Sequence, residues 1–154
     1  MRLAIHFPMH GRLDLAEIVL RQLDRVRDAV KPAIDLRIVA SVSELEAYSL
    51  ADAYADDSIE WPNAPVGRKH NRLLLECRAC EPDAVMHVGS DDLVHEDLVR
   101  RWAQLVGEGE EYVGLIDMFF WDLPWDRFAH FTGYPPPRIG EPLGACRCWS
   151  RALL

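Results

Sequence analysis

Apolar residues recur along this chain in two rhythms, and the switch between them marks its elements. Leu3-Ala4-Ile5-His6-Phe7 is a short strand-like run closed by Pro8 and Gly11. From Asp14 to Val30 the apolar positions Ala16, Val19, Leu20, Leu23, Val26 and Val30 fall on one helical face, and Pro32 stops the helix. Residues 35–41 predict a second strand, and Ser43 with Glu46 forms a capping-box pair that opens a helix reaching Tyr54. Ser58 to Trp61 predicts a short strand, ended by Pro62-Asn63-Ala64-Pro65, and helix returns over residues 67–80. Ala84 to Val88 is a buried strand that runs directly into Gly89-Ser90-Asp91-Asp92. A helix over residues 96–106 turns Leu98, Val99, Trp102, Leu105 and Val106 inward, and Tyr112 to Phe120 reads as the last strand.

Strands alternating with amphipathic helices predict βαβ units: an α/β three-layer sandwich around a mostly parallel central sheet. Ligands in such sheets bind beyond the carboxyl ends of the strands. The loops of interest therefore follow Phe7, Ala40, Trp61 and Val88.

A length of 154 residues suits one domain, and 49% apolar with 27% charged residues is ordinary for a globular chain. That composition excludes a disordered, collagen-like or coiled-coil chain. No run approaches the ~20 apolar residues of a membrane span, and Met1-Arg2 followed by a strand does not read as a signal peptide, so the expected location is cytoplasmic. The charge, 17 basic against 25 acidic residues, is −8, which argues against general nucleic-acid binding. Cys77, Cys80, Cys146 and Cys148 have the spacing of a zinc site, although Cys77 and Cys80 fall within a helix; small buried thiols are the plainer reading.

The acidic loop carries the strongest chemistry. Two ionised carboxylates about 4 Å apart repel by roughly 1 kcal/mol in water and about 4 near a protein surface. A divalent cation removes that repulsion, and oxygen ligands suit Mg²⁺ or Mn²⁺. If the strand stays extended through the loop, Ser90 and Asp92 share one side and Asp91 the other. Asp92 is then the metal ligand, with Asp91 as its partner or as a ribose contact; helix capping by either is the plainer alternative. The stretch between Pro65 and Arg72 is basic, with Arg68, Lys69, His70 and Arg72 following a stretch (Glu44 to Glu60) of six acids and no bases. Cations at a helix start attract anions, so the two loops together suit a nucleoside diphosphate. Arg68 and Arg72 could equally form a solvated i,i+4 face.

The order of strand, Pro8-x-x-Gly11-Arg12, helix, second strand, Asn63-x-x-x-Gly67-x-Lys69-x-Asn71, then strand-Gly89-Ser90-Asp91-Asp92-Leu93 resembles the GT-A glycosyltransferases, the family-2-like nucleotide-sugar enzymes. Gly144-Ala145-x-Arg147-x-x-Ser150-Arg151 resembles their acceptor-side segment. The resemblance implies a nucleotide-diphospho-sugar donor, Mn²⁺ or Mg²⁺ at Asp91 and Asp92, and transfer to an acceptor hydroxyl. It places Pro8, His10, Arg12 and Ser41 near the nucleotide, Arg68, Lys69 and Asn71 facing the diphosphate or holding the loop, and Ser90 where many members carry Asp. Arg147, within the acceptor-side segment, joins these as a donor-binding residue.

Three departures accompany it. Ser41-Val42-Ser43 lacks the acid that commonly reads the base. No Glu-Asp pair marks the general base, leaving Asp117, Asp122 and Glu141 as candidates. The chain ends at Ser150-Arg151-Ala152-Leu153-Leu154, so the single GT-A-like domain over 1–154 is expected either to be a minimal member or to lack C-terminal acceptor elements. Two further readings stay open: a shortened, non-catalytic nucleotide-sugar or partner-binding module, and then a nucleotidyltransferase, disfavoured by the few glycines in Pro8 to Arg12. Met118, Phe119, Phe120, Trp121 and Trp125 read as a core strand with a partner surface, or as an acceptor floor. His87 reads as a hydrogen-bonded core histidine and His95 as a surface residue at a helix start.

Overall fold

The computed structural model describes residues 1–154 as an α/β sandwich. Strand β1 (Arg2–Pro8) leads to helix α1 (Leu13–Val30), then β2 (Asp35–Val42), a 3₁₀ turn at Leu45–Ala47, α2 (Tyr48–Tyr54) and β3 (Asp57–Glu60). Next come α3 (Val66–Ala79), β4 (Ala84–His87), α4 (Glu96–Gly107) and β5 (Tyr112–Val113). A hairpin, β6 (Met118–Asp122) and β7 (Arg127–Phe131), precedes β8 (Cys148–Ser150). The central sheet has six strands in the order β3-β2-β1-β4-β8-β5. The first four are mutually parallel, and β8 runs antiparallel between β4 and β5.

Strand alternation divides the core. Leu3, Ile5 and Phe7 of β1, Leu36, Ile38 and Ala40 of β2, and Ala84, Met86 and Val88 at β4 turn toward α1, α2 and α4 in one large cluster. Ala4, Val39 and Val85 turn the other way and meet Leu73 and Cys77 of α3. In β1, β2 and β4 that second layer is apolar toward the amino end of the strands. Two residues further along, the same face presents His6, Ser41 and His87, met by Lys69 and His70 one turn before Leu73. The polarity of the α3 layer thus rises toward the carboxyl edge, where the loops emerge.

Three expectations need correction. The capping box at Ser43 does not form: its hydroxyl donates to Trp61 O at 2.9 Å, and the helix begins through a 3₁₀ turn without a side-chain cap. The predicted strand 112–120 is split into two. Pro142 sits against Gly114 so closely that a Cβ there would lie 2.7 Å from it, and Leu143 N–H takes Leu115 O at 2.7 Å. These contacts end β5 at Val113, and the aromatic residues leave the sheet. Met118 to Trp125 is accordingly not a core strand. It belongs to a separate two-stranded hairpin in which Phe119, Phe120, Trp121, Trp125 and Phe128 are exposed.

The four cysteines do not converge. Cys77 and Cys80 pack on the α3 side of the sheet, Cys146 and Cys148 in the cluster on the opposite side. With the two pairs on opposite faces of the sheet, a single four-thiolate zinc site is excluded; all four are free thiols, and burial pushes the pKa of Cys77, Cys146 and Cys148 up to about 12. No helix is long and apolar enough to cross a membrane.

Candidate functional site

The acidic loop is a tight turn, not an extension of β4. Asp92 N–H donates to Gly89 O at 3.1 Å, and Asp92 Oδ2 accepts from Gly89 N–H at 2.9 Å. The turn corrects the alternation expected for an extended chain, because both carboxylates now gather over one residue. A Cβ on Gly89 would lie 2.8 Å from Asp92 Oδ2 and 3.3 Å from Asp91 Oδ1. Burial raises the Asp92 pKa; the Gly89 N–H opposes this, the Asp91 charge adds to it, and Arg12 opposes it more weakly. Asp91 is more exposed, and its Oδ2 is paired with Arg12 Nη1 at 2.7 Å. The turn after β4 is thereby joined to the loop after β1.

This geometry makes a specific expectation for Gly89→Ala. The new methyl displaces a carboxylate rather than backbone, so the fold keeps its stability within ~1 kcal/mol, while a turn that serves as a divalent-cation site loses affinity for the ion. Calorimetric titration with Mn²⁺ beside a melting curve checks both halves.

The loop after β1 is set from the far side by Glu44, just past β2. Its Oε1 accepts from Gly11 N–H at 2.9 Å and pairs with His10 Nδ1. An acid does therefore follow β2, one residue beyond Ser43, and it is spent on the first loop. Nothing local marked it.

Lys69 is 1% exposed, and its ammonium donates to Met9 O, to Ser43 Oγ at 2.7 Å and to Asn63 Oδ1 at 3.3 Å. Three hydrogens meet three acceptors, from the segments after β1, β2 and β3. These bonds join the three loops through one side chain. Burial lowers its pKa, with Glu44 opposing. Arg72 pairs with Glu76 along the helix, whereas Arg68 is exposed and has no carboxylate partner. Asn71 is exposed as well.

The remaining candidates spread out. Pro8 is half-buried at the end of β1; Ser41 is fully buried with its hydroxyl unpartnered; Ser90 is buried in the turn. Arg147 donates to Leu143 O at 2.5 Å and Pro142 O at 3.1 Å, bracing its own loop. Asp117 bonds His130 at 2.9 Å, Glu141 bonds Arg138 at 2.7 Å, and Asp122 ends β6 opposite Arg127. None of these three acids shares a hydrogen bond or ion pair with Asp91, Asp92 or Arg12. His95 is exposed and caps α4, as expected of a surface position.

The structure adds a group that spacing could not reveal. His6, His87 and His70 form a cluster with ring centroids 5.0–5.2 Å apart. His6 Nδ1 lies 2.9 Å from His87 Nδ1, which bears out the hydrogen-bonded His87 and supplies its partner. Burial, then the neighbouring ring, pulls His6 down to about 3 and His87 to about 4. The metal-free chain should therefore lose stability as pH falls from about 6.5 toward 4, because the unfolded imidazoles take up protons that the folded ones refuse. Denaturation midpoints in chelator across that window check this; His87→Gln should flatten the slope.

No protein-family model matches the sequence, and no curated protein is recognisably similar to it. Solved structures do match. Over 99% of this chain and 75% of the other, CMP:2-keto-3-deoxy-manno-octonic acid synthetase, solved with CTP, aligns with a TM-score of 0.61 at 12% identity. Residues 1–349 of S. aureus TarS align over 70% of this chain with a TM-score of 0.52 at 18% identity. This chain spans only 33% of that TarS chain. What this chain shares with both is the α/β fold with its six-stranded, mostly parallel sheet.

Proposed function

We propose that the chain binds a nucleoside-diphosphate sugar at the carboxyl edge of its sheet and transfers the sugar to an acceptor hydroxyl, in the manner of a GT-A glycosyltransferase. The observation that carries this is the gathering of the Asp91 and Asp92 carboxylates over Gly89 at the end of a parallel strand, with Arg12 tied to one of them. Asp91 Oδ1 and Asp92 Oδ1 are left over from the turn's own bonds, and a hard oxygen pair of this kind fits Mn²⁺ or Mg²⁺. When bound, the ion would supply positive charge beside the departing diphosphate.

The protein's own groups do the rest. His70 of α3 touches His87, two residues before Gly89, so the start of α3 lies beside the acidic turn. Arg68, with no carboxylate of its own, is the cation available to the diphosphate from that side, and Arg12 can exchange Asp91 for a phosphate oxygen. Lys69 and Glu44 keep the surrounding loops in place before the donor arrives, so less ordering is needed on binding.

The test is a panel of nucleotide-sugars and nucleoside triphosphates, each with and without Mn²⁺, read by thermal shift and then by turnover. A rise with at least one nucleotide-sugar, dependent on Mn²⁺, followed by transfer or slow hydrolysis, is expected. No rise with any nucleotide-sugar removes the proposal. Stabilisation by triphosphates alone supports the nucleotidyltransferase reading, for which the shared fold of the CTP-bound synthetase is the structural parallel. Binding without turnover supports the non-catalytic module.

A further inference from the structure

Parallel pairing sets His6 of β1 directly opposite His87 of β4, both on the face covered by α3. Helix α3 lays His70 over the pair, its ring stacked on His6 with an interplanar angle of 16°. Residues 64 and 81 positions apart from His6 thus deliver three imidazoles to one point. One ligand nitrogen from each lies within 4.8 Å of the other two. No carboxylate hydrogen-bonds any of the three rings; the charged groups around them are Lys69 and Arg147.

The hydrogen bonds fix which nitrogens are free. His6 Nε2 lies 3.2 Å from His70 O, and a carbonyl only accepts, so Nε2 carries the ring's proton. The lone pair of His6 is therefore on Nδ1, directed at His87. A histidine whose second nitrogen donates to a backbone carbonyl is in the tautomer and orientation that metal-ligating histidines adopt. The ring nitrogens of His70 have no protein partner. Two imidazoles would suffice for the His6–His87 hydrogen bond; the third adds nothing to it.

We propose that His6, His70 and His87 form a site for one divalent transition-metal ion of borderline softness, Zn²⁺ or Co²⁺, separate from the oxygen-lined Asp91–Asp92 turn and independent of the transferase reading. Imidazole nitrogen selects such ions, whereas the carboxylate pair selects Mg²⁺ or Mn²⁺. Arms of 2.0–2.1 Å in tetrahedral geometry place ligand nitrogens about 3.3 Å apart. The 2.9 Å between His6 Nδ1 and His87 Nδ1 must open by a few tenths of an ångström, and His70 must close in. His87 moves its proton from Nδ1 to Nε2, so the neutral rings bind with no net proton release. The ion would tie β1, β4 and α3 together beneath the loops of the edge, with water in the fourth position.

The experiment strips the purified chain with chelator and titrates it with Zn²⁺ and, separately, Co²⁺. One ion per chain should bind, Co²⁺ should give the intense visible absorption of a four-coordinate site, and Tm should rise by about 5–10 °C at a hundredfold excess of Zn²⁺ over Kd. His70→Gln and His87→Gln should each weaken binding by at least the roughly 10–100-fold that loss of even an outer-sphere partner costs. Because His6→Gln alone could prevent folding, the two less buried positions carry the test. Asp92→Ala and Cys80→Ser should leave Zn²⁺ stoichiometry and the Co²⁺ spectrum unchanged. Failure to take up one ion, binding that survives both histidine variants, or binding lost with Asp92→Ala would overturn the proposal.

Discussion

Lys69→Met should unfold at a midpoint about 6–12 °C below the parent with no ligand present, reflecting a loss on the order of 3 kcal/mol. Methionine retains most of the aliphatic stem, so little of the packing against α3 and the sheet changes. What disappears is the ammonium that joins Met9 O, Ser43 Oγ and Asn63 Oδ1. A hydrogen bond to a charged group contributes about 1.5–3 kcal/mol, and these three share one donor, so the total stays well below their sum. Ser43 Oγ still donates to Trp61 O, but the Met9 carbonyl is left buried and unmatched. Donor affinity should fall with stability, since three loops lose their common anchor. Were Lys69 instead a diphosphate ligand, the ligand-free melting curve would be unmoved and only donor binding would weaken. Differential scanning calorimetry without ligand separates the two.

Asp92→Ala should abolish the Mn²⁺-dependent part of nucleotide-sugar binding, a weakening of about a hundredfold or more, or roughly 2.8 kcal/mol. The ligand-free protein should behave differently. Burial raises the Asp92 pKa in the folded state, so the ionised carboxylate costs stability as pH rises through that value. Removing it relieves that cost at neutral pH and forfeits the bond to Gly89 N–H. The two changes oppose each other, and the metal-free Tm at pH 7 should move little. Asp92→Asn, which keeps an acceptor for Gly89 N–H, should show the same loss of Mn²⁺ dependence with the turn preserved. Isothermal titration of both variants, with Mn²⁺ and with Mg²⁺, is the measurement. Undiminished Mn²⁺-dependent binding in both would remove the acidic turn from the site.

Much of this architecture was legible in the order of residues. The inner faces of α1 and α4 follow directly from Ala16, Val19, Leu20, Leu23, Val26 and Val30, and from Val99 and Trp102. The parallel half of the sheet follows from strands separated by amphipathic helices, and the acidic turn from a buried strand ending in glycine and two aspartates. Patterning failed where a distant contact overrode a local preference. Ser43 has the sequence of a helix cap, yet its hydroxyl is taken by Trp61 and Lys69. The run from Tyr112 to Phe120 alternates like a strand, yet Pro142 and Leu143 interrupt it. The short antiparallel β8 lay unnoticed in a segment rich in loop residues.

The linear chain, by itself, determined which residues turn inward on each helix and strand, and hence an α/β sandwich with chemistry at one edge. Periodicity is a local property, fixed by 3.6 or 2 residues per repeat, and it needs no knowledge of neighbours. Only the tertiary structure decided the polar partnerships: His6 with His70 and His87, Glu44 with His10, Arg12 with Asp91, and Lys69 beneath three loops. Each depends on strand register and on where a helix lands on the sheet. A register slip of one residue would turn His6 to the opposite face. No short-range pattern in the sequence encodes that choice; it emerges when the whole hydrophobic set is buried at once.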